Sequence, residues 1–153
     1  MTLRLALLLA ALWWGGISGL AFVAVPALFA QLGSPAVAGP VAAWLFGFVC
    51  KLTWVCSGFL AIFWIKKRPS PLTQIQKMAL VFIAVGVLAA GVQDLVVAEQ
   101  IVSARATGGN LKLWHSLGSA LVLVQWLAAG ASLWRLTGLV RPQQPPAQPI
   151  PTY

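Results

Sequence analysis

Residues 78–97 read MALVFIAVGVLAAGVQDLVV, twenty residues with a single charge, Asp94, and no proline. A helix rises about 1.5 Å per residue, so about 20 apolar residues cross a hydrocarbon core of about 30 Å. This stretch has that length and nothing in it breaks a helix. Three further runs match it: Leu5 to Phe29, Val41 to Ile65 and Leu113 to Leu136. Breakers separate the four, namely Gly33-Ser34-Pro35 with Pro40, then Pro69-Ser70-Pro71, then Gly108-Gly109-Asn110.

Composition agrees with four spans. Of 153 residues, 60% are hydrophobic and only 8% charged, with a mean hydropathy of +0.90. A soluble domain carries about 25% charged residues. So few charges cannot coat a water-facing surface, which excludes a soluble enzyme, a nucleic-acid binder and a disordered chain. The expected architecture is all-α, an integral membrane four-helix up-down-up-down bundle over residues 1–141, because short loops make neighbours antiparallel. Its helices are expected at about 3–30, 36–66, 71–107 and 111–138. The third is expected to start from Ser70 as cap and Pro71 as first residue, and to overrun the bilayer. Asn110 is placed to cap the fourth. Residues 142–153 are proline-rich, without apolar period, and read as a disordered cytoplasmic tail.

The first run opens like a signal peptide, with Arg4 before Leu5–Leu12, but its apolar stretch is longer than such a core. It reads as a retained helix. Orientation follows from Lys and Arg. Arg4, Lys66, Lys67, Arg68, Lys77, Arg135 and Arg141 fall on one side, against Arg105 and Lys112 on the other. Seven against two places both termini in the cytoplasm of a bacterial inner membrane. Trp44, Trp64, Trp114 and Trp134 stand near span ends, where amphipathic rings favour the interface.

Lipid supplies no hydrophobic drive for helix association, so small residues mark close packing. Gly15 and Gly19 form a GxxxG pair, Gly47 and Gly58 share a stripe with Lys51, and Gly86 and Ala90 share one with Asp94. Gly118, Gln125 and Ser132 recur every seven residues. These are bundle seams, with a homo-oligomer through Gly15 and Gly19 as the alternative. Pro26 removes a backbone donor and is expected to kink the first helix near Phe22.

Ionisable groups within spans are costly and need partners or a wet cavity. Lys51, Asp94, His115 and Glu99 all fall towards the outer half, with Gln125 in the last helix. Lys51 and Asp94 read either as an ion pair fixing register or as part of a functional site. His115 reads as an interfacial residue or a ligand, and Glu99 and Arg105 as a solvated face. Cys50 and Cys56 are six apart and read as free thiols. No metal-ligand spacing occurs, so neither metal nor cofactor is expected and no catalytic residue is assigned.

Several segments resemble the transmembrane-protein-205-like family, a four-helix domain of unknown function. They are Gly15-Gly16, Phe22-Val-Ala-Val-Pro-Ala-Leu-Phe29, Ala38-Gly39, Leu45-Phe46 and Leu113-Trp-His115-Ser-Leu-Gly118. The chain departs from that family at Gln125, where an Asn is frequent, and at Lys51, where the family is uncharged or aromatic. The resemblance implies a structural or transport-linked membrane role without catalysis. A small transporter or channel with a polar vestibule around Lys51, Asp94 and His115 is the alternative. Size and topology alone also resemble haem- or copper-linked membrane proteins.

Overall fold

The computed structural model describes residues 1–66 and 73–140. Four continuous helices span Leu3–Leu32 (α1), Pro35–Lys66 (α2), Gln74–Thr107 (α3) and Leu111–Thr137 (α4). No strand occurs among the described residues. Each helix packs against its sequence neighbours, and α4 closes the ring on α1. All four are long and apolar enough to cross a membrane. This is the expected all-α bundle.

The ends follow local chemistry. Thr2 accepts from Leu5 N at 3.4 Å and Asn110 from Leu113 N at 3.0 Å, each satisfying a donor of a first turn. Gly33 and Gly108 end α1 and α3 in the left-handed conformation, with φ of 62° and 75°, which glycine adopts without a Cβ clash. The first turn of α3 is fixed by a described residue. Thr73 is its cap, in a reciprocal box with Gln76, and the helix begins at Gln74. The Ser70 and Pro71 reading and the Pro-rich tail lie outside the described residues.

Two prolines act unlike simple breakers. Pro40 lies inside α2, which runs unbroken from Pro35. Pro26 cannot donate to Phe22 and crowds its carbonyl. The chain relaxes into a π turn over Leu20–Ala24, closed by Val25 N–H on Leu20 O. A second π turn, which the sequence did not announce, covers Gln93–Val97. Such turns occur frequently at functional sites.

Side chains are distributed as lipid rather than water requires. The interior is rich in alanine (Ala6, Ala10, Ala79, Ala90, Ala129), while Leu8, Leu88, Trp44 and Trp134 stand outside. The core of one half holds Trp13, Ile17, Leu60, Phe63 and Ile83. Trp64 corrects the interfacial reading. It is buried against Phe63, edge to face at 5.6 Å, and its Nε1 has no hydrogen-bond partner among the described residues.

The small-residue seams divide. Gly86 admits the Trp13 ring, since a Cβ there would stand 2.7 Å from it, and Gly130 lies under Trp14. Gly118, Gln125 and Ser132 all face inward. Gly15 and Gly19 do not. Both are exposed with nothing close by, so they form no seam within the bundle. Gly58 is likewise outside.

Candidate functional site

Polar side chains gather at two levels. At the first, Trp13 Nε1 donates to Thr53 Oγ1 at 3.0 Å, and Thr53 Oγ1 donates to Gln125 Oε1 at 3.0 Å. All three residues are fully buried. With Gly86 beneath the indole, this clasp draws on all four helices. It ties α1 to α2 and crosses the diagonal from α2 to α4, so it fixes helix register where lipid offers no competing partner. Gln125 therefore joins a clasp rather than the outer polar group. Its Nε2 has no hydrogen-bond partner among the described residues, and Cys50 lies beside it.

Beyond the clasp, a cleft of about 270 Å³ opens between α2, α3 and α4, with Phe29 of α1 at its edge. Asp94 and His115 both line it, together with Gln93, Arg105, Ser119 and Cys50. The π turn of α3 carries Gln93 and Asp94. Gly118 makes room for Gln93, whose Nε2 would stand 3.4 Å from a Cβ at that position. Asp94 lies beside Gly47, its Oδ1 3.8 Å from where a Cβ would stand, an ordinary contact distance. At the mouth, Arg105 lies over Gly39, where a Cβ would come within 2.7 Å of Nη2. Arg105 is therefore part of the cleft wall at its mouth, where it is exposed as expected.

The other sequence candidates fall elsewhere. Lys51 is exposed, is not part of the cleft wall, and makes no ion pair with Asp94 among the described residues. Glu99 is exposed on the extension of α3. The structure thus brings Asp94 and His115 together and leaves out Lys51, Glu99 and Gln125. Reading by sequence passed over Gln93 and Arg105. Gln93 was visible as the only uncharged polar side chain in the run 78–97. Arg105 was visible through its spacing, because eleven residues from Asp94 make three helical turns.

Two features give the cleft its chemistry. Gln93 is only 6% exposed, yet its Oε1 has no hydrogen-bond partner among the described residues. Asp94 has no partner either among the described residues. A buried acceptor without a donor costs about 1–3 kcal/mol. Both residues line the same cleft. Cys50 and Cys56 are free and buried. Among the described residues, no three His, Cys, Asp or Glu side chains form a metal-binding group.

The family model for a domain of unknown function, DUF4149, matches residues 8–110. The chain belongs to that family. The match takes in α1, α2 and α3, hence the α2 and α3 walls of the cleft, and stops at the cap of α4. No curated protein and no solved structure matches the chain.

Proposed function

We propose that this DUF4149 protein is a non-catalytic component of the bacterial inner membrane that holds a small polar ligand in the Asp94 cleft. The observation that carries this reading is the pair of unpartnered acceptors, Gln93 Oε1 and the Asp94 carboxylate, on one cleft wall. Both termini are cytoplasmic in this reading, supported by the seven-to-two distribution of Lys and Arg, so the cleft opens to the periplasm. The motifs shared with the transmembrane-protein-205-like family support kinship with that group. The exposed Gly15 and Gly19 support self-association through α1.

Transport is the second reading. A polar vestibule with Asp94 and His115 favours it, and passage to the other side would require the Trp13–Thr53–Gln125 clasp to part.

The test is complementation of a strain lacking the protein. Ala43 and Ala98 line the cleft and are exposed, so phenylalanine at either fills it without entering the core. Both variants should accumulate normally and fail to complement. Full complementation by both would remove the cleft from the function. A reporter after Tyr153 should be active only in the cytoplasm, and periplasmic activity would reverse the orientation.

A further inference from the structure

The cleft has two charged poles of opposite sign, and their separation restricts what it can hold. The Asp94 carboxylate stands over Gly47 and the Arg105 guanidinium over Gly39. Those glycines are eight residues apart on α2, which is about 12 Å along the helix. The rest of the lining is mainly apolar, with Phe46, Ile101 and Val102, and α4 adds His115 and Ser119. No described residue satisfies either charge.

We propose that the cleft binds a dipolar chain molecule, with a protonated amino group at Asp94, an acidic group at Arg105 and an apolar segment between them. This rests on the ligand-holding reading of the same cleft. At the deep end the Asp94 carboxylate is the charged group and Gln93 Oε1 a buried acceptor without a partner among the described residues, and an ammonium supplies three donors. The mouth offers a guanidinium, whose fork matches a carboxylate or phosphate. At Asp94, which is half-buried, a low-dielectric wall strengthens the contact relative to water, while Arg105 is exposed at the mouth. The headgroup of an aminophospholipid does not fit, because two carbons between amine and phosphate cannot span the distance between the poles. A chain of about eight carbons can.

The test is calorimetric titration of the full chain in detergent micelles with 4-aminobutanoate, 6-aminohexanoate and 8-aminooctanoate. Octylamine, octanoate and the neutral 8-hydroxyoctanamide serve as partners lacking one charge or both. Affinity should rise with length, with 8-aminooctanoate at least tenfold tighter than 4-aminobutanoate and than each octyl control. Asp94→Asn and Arg105→Gln should each weaken it about tenfold, and Lys51→Gln should leave it unchanged. Equal binding of 8-hydroxyoctanamide, abolished by Ala43→Phe, would overturn the dipolar assignment and leave the ligand-holding cleft standing. Failure of every probe to bind wild-type protein more tightly than Ala43→Phe would overturn both.

Discussion

At the level of Thr53, three polar side chains close on one another through two bonds of 3.0 Å. At the level of Gly47, about 9 Å further along α2, Asp94 and Gln93 face a shared space and neither bonds the other. Both levels sit in the same bundle and both are built around glycines, Gly86 under Trp13 and Gly47 and Gly118 beside the cleft. The difference is what fills the space that glycine leaves. At the clasp an indole occupies it, and the polar atoms become architecture. At the cleft polar side chains lie beside it, Gln93 at Gly118 and Arg105 at Gly39, and they stay available because no bond ties them to one another among the described residues.

The comparison breaks most readily at Trp13. Trp13→Ala empties the crossing point of the helices and removes one bond of the clasp, and a buried Trp→Ala change costs about 3–5 kcal/mol. Unfolding in mixed micelles should show a loss in that range. A loss below about 1 kcal/mol would mean that the clasp is not the structural centre. Thr53→Val sharpens the point, because it keeps the volume and orphans both Trp13 Nε1 and Gln125 Oε1. An interhelical hydrogen bond in a membrane protein averages about 0.6 kcal/mol, at most about 1.7, so two lost bonds should cost about 1–3 kcal/mol. Thr53→Ser should recover most of it. Equal stability of the Val and Ser variants would show that the bonds contribute little.

The sequence made the bundle legible because its signals are local. Apolar run length, Gly33 and Gly108 as stops and Asn110 as a cap are decided within a few residues. The site was less legible because it depends on rotation about each helix axis. Lys51 and Asp94 lie at similar depths, which suggested a pair. Depth does not say which way a residue points: Lys51 is one turn from Gly47 on the same stripe, yet it lies at the exposed edge of that face, while Asp94 lies beside Gly47. A nearly uniform apolar helix carries little information about its buried face. The π turns compound this, because an inserted residue re-phases the helix and only the one near Pro26 left a trace in the sequence. Trp64 misled for the same reason: closeness to a span end fixed its height and not its direction.

Gly15 and Gly19 test the comparison from outside the bundle. Glycine at the clasp and the cleft accommodates a side chain of the same chain, whereas at these two positions there is open space. Leucine at either should therefore change unfolding stability by no more than about 0.5 kcal/mol. Self-association in lipid, read by energy transfer between labelled copies, should fall more for Gly15→Leu or Gly19→Leu than for Leu8→Ala. A large loss of monomer stability would place these glycines in a seam after all. Unchanged energy transfer would remove them from any contact between copies.

The smallest effect is expected where the sequence suggested one of the largest. Removing one partner of a buried ion pair costs about 3–5 kcal/mol, because the other is left desolvated. With Lys51 exposed and Asp94 lining the cleft, no such pair exists to break. Lys51→Met should then be neutral or stabilising, since an apolar side chain suits the bilayer better than an ammonium. Asp94→Leu should not depend on it. The double-mutant cycle should give a coupling energy within about 0.5 kcal/mol of zero, as for residues without shared partners. A coupling above about 1 kcal/mol would mean that Lys51 turns inward onto Asp94 in the bilayer. The carboxylate would then already have its cation, and the contrast between a filled clasp and an open cleft would be lost at its deepest point.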